Sequence, residues 1–159
     1  NTCIYSDMII NEDTIRVYNI HLASNWFKNT DYSFIQNPQK EKIKEGIIGI
    51  TKRMKSSFIK RAEEVEIIKQ HMADCTYPII VCGDFNDTPL SYAYNSIKGD
   101  LSDAFSISGK GIGDSFVKIP ALRIDYILHD NELKSSNYQK HKQVLSDHYA
   151  VSCEIEIGN

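Results

Sequence analysis

Two runs at the start of the chain alternate apolar and polar residues, which predicts two β-strands. The runs cover Cys3 to Ile10 and Thr14 to Leu22, and a period of two places successive side chains on opposite faces of a strand. The polar residues Asn11 to Asp13 between them are typical of a hairpin turn. In the second run, Asn19 and His21 share one face of the predicted strand.

A second period, of three to four residues, predicts one long helix. Its apolar stripe runs from Met54 to Met72, and such a stripe packs against a core. The helix should end before Pro78, and the apolar run Ile79 to Cys82 predicts a buried strand. A short helix is expected over Ser91 to Ile97. Four further strands are predicted, at Ser115–Val117, Arg123–His129, Tyr138–His141 and Tyr149–Ile157.

The segment from Ser24 to Lys44 is polar but contains scattered aromatic and apolar residues. A connection of this length usually has a function or is disordered. Its aromatic residues either form a satellite cluster over the core, a lid over a substrate, or a surface that faces a membrane or a partner. The aromatic residues are Trp26, Phe27, Tyr32 and Phe34, and the apolar residue among them is Ile35.

Composition and charge narrow the class of protein. The 159 residues are 42% hydrophobic and 25% charged, as in an ordinary soluble globular domain, and no apolar run approaches the roughly 20 residues that cross a bilayer. The net charge of −3 gives no general attraction to nucleic acid. Residues 40–69 nevertheless hold nine basic against five acidic residues, either as a solvated helix face or as a surface for anionic substrates or lipid headgroups.

The cysteines do not indicate a metal site. The four cysteines follow no CxxC spacing, and a zinc site usually requires such pairs. Cys3, Cys82 and Cys153 lie in predicted strands, so we expect buried thiols there.

Polar residues with chemical potential follow the apolar strand that ends at Cys82. Gly83 frees the backbone at the end of this strand, and Asp84 and Asn86 come next, two residues apart. Two such side chains point the same way in an extended chain. A carboxylate and an amide at the end of a strand can bind an oxygen-rich ligand, a water molecule or a hard cation.

Three further residues carry groups that transfer or hold protons. Asp125 lies inside a predicted strand, where a carboxylate needs a partner; the simple alternatives are a pair with Arg123 or a surface position. His148 follows Asp147, and a carboxylate can hold a histidine in its charged form near neutral pH. His21 ends the second strand. Each histidine could equally be structural. Together these groups suit the hydrolysis of a phosphate ester, which usually requires Mg²⁺.

Four segments, in this order, resemble the later motifs of the endonuclease/exonuclease/phosphatase superfamily. They are Tyr18–Leu22, Gly83–Asn86, Arg123–Ile127 and Ser146–His148. The resemblance covers nearly the whole chain and implies a DNase I-like fold, a two-sheet α/β sandwich. To it this chain would contribute a mixed or antiparallel β-sheet with helices on one face. The implied activity is that of a metal-dependent phosphoesterase with Mg²⁺ or Mn²⁺ as cofactor.

The resemblance also implies roles for individual residues. His148 would act on the attacking water or bind the scissile phosphate, with its imidazole oriented by Asp125. Asp84 would activate or align the nucleophile. The remaining implied roles are phosphoryl binding by Asn86, donation to the phosphate or leaving group by His21, lining of the site by Asn19, and contact of Asp147 with the metal, directly or through water.

One departure from the family pattern shapes the expectations. The family site also uses an asparagine and a metal-binding glutamate from a first half, and no segment here resembles that motif. We therefore expect residues 1–159 to be the C-terminal portion of a single domain of roughly 250 residues. The N-terminal half of the parent chain is then an expected partner, and self-association through an uncovered sheet face is expected as well. The isolated chain should bind Mg²⁺ weakly and show little activity.

The substrate class stays open at this level: a nucleic acid, a phospholipid or a small phosphoester. The aromatic segment beside a basic helix favours a lipid or a small phosphoester. The alternative functions are a non-catalytic binding module and an interaction domain on the same fold.

Overall fold

The structure is a computed structural model that describes residues 2–25, 27, 29–36 and 43–158. Two sheets and several helices make up this part of the chain. In chain order the elements are β1 (Thr2–Ile10), β2 (Asp13–His21), α1 (Asn29–Gln36), α2 (Ile43–Ala73), β3 (Ile79–Asp84), α3 (Tyr92–Lys98), β4 (Ser102–Asp103), α4 (Ala104–Ser108), β5 (Asp125–His129), β6 (Lys134–Lys140) and β7 (Val151–Glu156).

The larger sheet has five strands in the order β1-β2-β3-β5-β4. The predicted hairpin is confirmed: β1 and β2 pair antiparallel, and Asn11 and Glu12 turn the chain with positive φ angles of 50° and 76°. Asparagine adopts this conformation more readily than most residues, and two successive positive φ angles are typical of a two-residue type I′ hairpin turn. β2 and β3 run parallel because the long helix α2 connects them, and β5 pairs antiparallel with both β3 and β4.

The hydrophobic core lies between one face of this sheet and the helices α2 and α3. Alternate residues of β2, β3 and β5 point into it, and residues of the α2 stripe meet them. The sequence-based fold class, a mixed sheet with helices on one face, is therefore confirmed. The buried cluster comprises Tyr18, Ile20, Leu22, Val65, Ile68, Ile79, Val81, Phe85, Ala93, Tyr94, Ile97, Leu101, Tyr126 and Leu128.

The opposite face of the sheet is covered only in part. The second sheet, β6 paired with β7, contacts β5, and a hydrogen bond of 2.8 Å joins His129 Nε2 to Ser135 Oγ. At the β1 edge, the apolar side chains of Ile4 and Met8 on this face are 59% and 46% exposed. The expectation of a buried Cys3 was wrong, because its strand is at the edge of the sheet and the thiol is exposed.

Three other expectations need correction. Residues 24–44 contain helix α1 and the start of α2, so the segment is not simply a loop and the long helix begins before Met54. Ser115 to Val117 do not form a strand; Phe116 makes a single β-bridge to His148.

Trp26 lies outside the described residues. Among the helices that the structure describes, none combines the length and the apolar composition of a bilayer-spanning segment.

Candidate active site

Three polar residues are aligned in a row across neighbouring strands by the register of the sheet. His21 at the end of β2 pairs with Asp84 at the end of β3, and Asp84 pairs with Asp125 at the start of β5. Directly paired residues project from the same face of a sheet. The strand ends therefore bring together one imidazole and two carboxylates that are far apart in the sequence.

His148 completes this group from the segment before β7. Its Nδ1 atom is 2.8 Å from Asp125 Oδ2, a charge-assisted contact that fixes the orientation of the ring. Its Nε2 atom then faces Asp84 Oδ2 at 3.8 Å. The Nε2 atom of His21 approaches the same oxygen, at 3.7 Å. Two imidazoles thus converge on one carboxylate at distances longer than a hydrogen bond.

The end of β3 holds Asp84 through backbone geometry. Gly83 has a φ of 138°, and a Cβ atom there would lie 1.9 Å from the Ile20 carbonyl oxygen, so only glycine fits against β2 at this point. Asn86 adopts a φ of 53°. Its backbone N–H donates to Asp84 Oδ1 at 2.8 Å, and its Nδ2 donates to Asp84 Oδ2 at 3.0 Å and to the Leu22 carbonyl at 3.1 Å.

These contacts define what Asn86 does in this structure. Both hydrogens of a side-chain amide are used when its nitrogen donates twice. Asn86 therefore positions Asp84, and a phosphoryl oxygen could be bound by its Nδ2 only after one of these bonds breaks.

Burial and neighbouring groups shift the pKa values of Asp84 and His148. Burial raises the pKa of Asp84, and the neighbouring Asp125 carboxylate raises it further, against opposing contributions from the Asn86 N–H and from both imidazoles. The hydrogen bond that His148 donates to Asp125 raises the pKa of His148 despite its partial burial. The pair therefore keeps His148 protonated to a higher pH than an ordinary histidine, while Asp84 is more basic than an ordinary carboxylate.

The same residues are the candidate cation ligands of the described chain. Asp84, Asp125 and His148 each offer a ligand atom, and these atoms lie within 4.8 Å of one another. Mg²⁺ commonly takes one or two carboxylates from the protein and completes its shell with water and phosphate oxygens. The two carboxylates fit that requirement, although Asp125 Oδ2 is already occupied by the imidazole.

Two predicted site residues lie outside this group. Asp147 bonds to Lys118 Nζ at 2.9 Å, and this contact lowers the pKa of the Asp147 carboxyl. Its metal role therefore stays a prediction. Asn19 lies on β2 two residues before His21, on the same face, and its side chain is exposed. It is not among the residues that line the cavity described below, and its role also stays a prediction.

Several supporting residues were not identified from the sequence. Ser115 Oγ accepts hydrogen bonds from the backbone N–H groups of Ile124 and Asp125, at 3.0 and 3.1 Å, and so holds the start of β5. Arg61 is fully buried and donates to Asp87, so it is an exception within a basic segment whose Lys52, Lys55 and Lys60 are exposed. Its place on the apolar stripe, three residues after Phe58 and four before Val65, was the available signal.

A cavity of about 390 Å³ lies beside this cluster of polar residues. Its polar lining residues include His21, Asp84, Asn86, Asp147 and His148. Its apolar lining comes mainly from α1, α2 and the segment before β5. The apolar lining residues are Phe27, Tyr32, Ile35, Ile50, Met54, Phe58, Phe116, Ile119, Leu122 and Ile124.

Comparison with known proteins places this geometry in context. The model of the Endonuclease/Exonuclease/phosphatase family matches residues 55–148, which include most of the site. No curated protein matches the chain.

Solved structures show the same fold. A mannosyl-6-phosphatase of Bacteroides thetaiotaomicron is similar with a TM-score of 0.58 and 15% identity, over 98% of this chain and 57% of that one. The catalytic domain of human Nocturnin, solved with a bound sulfate anion, gives 0.57 and 16%, over 97% and 52%. A humanized TDP2 of D. rerio gives 0.58 and 13%, over 98% and 58%. The chain therefore spans somewhat more than half the length of these proteins.

Proposed function

The chain belongs to the endonuclease/exonuclease/phosphatase family, and we propose that it carries the proton-transferring part of a metal-dependent phosphoesterase site. The observation that supports this best is the convergence of His21 and His148 on Asp84, at 3.7 and 3.8 Å. Gaps of this length leave each group available to a third partner, such as a water molecule or a phosphoryl oxygen.

In the proposed reaction, His148 is a donor and Asp84 an acceptor. Because its hydrogen bond to Asp125 raises the pKa of His148, the imidazolium persists to a higher pH than in an ordinary histidine and can donate from Nε2 to a phosphoryl oxygen. Asp84, with its raised pKa, accepts the proton of the attacking water. The water oxygen bonds to phosphorus as the bond to the ester oxygen breaks. In this proposal His21 gives a proton to that leaving oxygen.

A divalent cation, Mg²⁺ or Mn²⁺, held by Asp125 and by Asp147, directly or through water, would supply charge neutralisation on the phosphoryl oxygens. Two carboxylates are a small donor set, and the family pattern assigns the main metal-binding glutamate to an N-terminal half. We propose that such a half completes the domain. The uncovered side of the sheet, where Ile4 is 59% exposed, supports this proposal.

Hydrolysis of bis(4-nitrophenyl) phosphate and 4-nitrophenyl phosphate, each with Mg²⁺ or Mn²⁺, tests the proposal. The 159-residue chain should turn over slowly or not at all, and addition of the N-terminal half of its parent should restore turnover. His148→Gln should abolish the restored activity. The matched control is His141→Gln, because His141 bonds to Ser152 on the exposed β6–β7 sheet.

Each contrary outcome has a definite meaning. Fast turnover by the chain alone would show that a second half, with its glutamate, is dispensable. Full activity of the His148→Gln variant would refute the proposed role of that residue. Absence of turnover from the completed domain would favour the binding module on the same fold.

A further inference from the structure

The cavity beside the catalytic group has an apolar wall that the proposed hydrolysis does not use. Three rings form what we term the aromatic row: Phe27, Tyr32 and Phe116. Phe27 and Tyr32 meet edge-on with ring centroids 5.8 Å apart, and Tyr32 lies 6.0 Å from Phe116. The ring of Phe116 in turn lies 5.1 Å from the imidazole of His148. Phe116 therefore connects the row to the reacting end of the cavity.

The aromatic row is separate from the main buried cluster, although Phe116 itself is buried. The core cluster lies between the five-stranded sheet and the helices α2 and α3, and it contains none of the three rings. The row instead faces the cavity together with aliphatic residues such as Met54 and Ile119. An apolar wall continuous with a few convergent polar groups is the usual composition of a site for a small ligand.

Specific contacts hold the row in place. Asp31, one residue before Tyr32 on α1, forms a salt bridge with Arg53 of α2. Lys118 Nζ lies 5.2 Å from the centre of the Tyr32 ring and donates to Asp147 at 2.9 Å. A wall fixed by such contacts loses little entropy when a ligand binds against it.

From these observations we infer that the substrate is a phosphate ester whose alcohol carries a compact apolar group, and that Tyr32 is a specificity residue for that group. This inference rests on the proposed function, since it takes the polar end of the cavity as the phosphate site. A volume of about 390 Å³ is near the lower end for small-molecule sites. It suits a single ring or a short alkyl chain.

Binding of phosphonates tests the inference without requiring turnover. Calorimetric titration of the chain with methyl-, phenyl- and hexylphosphonate compares one anionic group with three apolar substituents. Phenyl- or hexylphosphonate should bind at least roughly tenfold more tightly than methylphosphonate, because burial of a ring or chain of this size is worth about one order of magnitude or more. A preference for phenyl over hexyl would identify an aryl ester, and the reverse an alkyl ester.

Tyr32→Ala should reduce this preference several-fold and leave the affinity for methylphosphonate unchanged. Tyr92→Ala is the matched control, since Tyr92 is 57% exposed on α3 and does not line this cavity. Equal affinities for the three phosphonates, or an undiminished preference in Tyr32→Ala, would overturn the inference. If the preference holds but the completed domain fails to hydrolyse phenyl phosphate, the proposed function fails and the apolar subsite stands.

Discussion

Arg61 offers the sharpest test of how this site is supported, because it is a fully buried cation on α2. Its Nε donates to Asp87 Oδ2 at 2.9 Å and its Nη1 to the Ala23 carbonyl at 2.6 Å. Both Nη atoms also lie 3.2 Å from Asn25 Oδ1. One side chain thus ties the long helix to the segments that follow β2 and β3, both of which line the cavity.

The energetics of this ion pair can be worked out from its burial. Burial lowers the pKa of Arg61 and raises that of Asp87, in spite of their mutual attraction. Desolvation therefore outweighs the attraction at both groups. A pair of this kind adds little net stability, yet removal of one partner leaves an uncompensated buried charge and costs about 3–5 kcal/mol. That is a large fraction of the 5–15 kcal/mol that typically stabilises a domain.

We therefore predict that Arg61→Met lowers the free energy of unfolding by about 3–5 kcal/mol. Urea denaturation followed by circular dichroism measures this change. Lys60→Met, at the exposed neighbouring position, should stay within about 0.5 kcal/mol of the parent. Adding Asp87→Asn to Arg61→Met should recover part of the loss, because no buried charge then lacks a partner. A single variant as stable as the parent, or a double variant no better than the single one, would refute this explanation.

Three further predictions concern the sheet and the site. Gly83→Ala should destabilise the fold by more than about 3 kcal/mol in urea titrations, since its Cβ would lie 1.9 Å from a carbonyl oxygen. The control Gly111→Ala has open space around the new Cβ and should cost only about 1–2 kcal/mol. Equal losses in the two variants would contradict a steric clash at Gly83. In metal-free NMR titrations His148 should titrate above the ordinary histidine pKa, and Asp125→Asn should lower that pKa. The stability from this pair is fully present at low pH and is lost as pH rises through the folded pKa of His148. An unchanged pKa of His148 in Asp125→Asn would exclude Asp125 as the cause of the raised value. The chain should self-associate in light scattering, and Ile4→Lys should shift it toward monomer because Ile4 is exposed on the uncovered face; a concentration-independent monomeric mass for the parent chain would contradict this.

The sequence predicted most of the sheet because its strands follow simple rules. The alternating run of β2 and the uninterrupted apolar run of β3 each match one pattern, and the turn between β1 and β2 begins with Asn11, a residue type suited to positive φ. The site residues could be proposed for a related reason. Asp84 ends β3 and Asp125 begins β5. Each is a carboxylate beside a run of apolar residues, and this contrast is visible in the sequence.

The parts that were missed depend on tertiary contacts. Ser115 was assigned to a strand, but its hydroxyl replaces a ladder partner by accepting two backbone N–H groups of the chain near β5. Two glycines obscured the start of α2, since Gly46 and Gly49 lie inside the helix and glycine has a low helix propensity. The position of Tyr32 beside the cavity could not be inferred, because α1 has only eight residues, and a helix this short depends on packing against other elements.

The row formed by His21, Asp84 and Asp125 has a consequence for how such a protein can diversify. The three side chains are aligned by backbone pairing of β2, β3 and β5, and none of them depends on the length of a connecting segment. Insertions or deletions in those segments would reshape the entrance and the apolar wall while the reacting groups kept their spacing. One chemistry could thereby be passed among descendants that accept different alcohols.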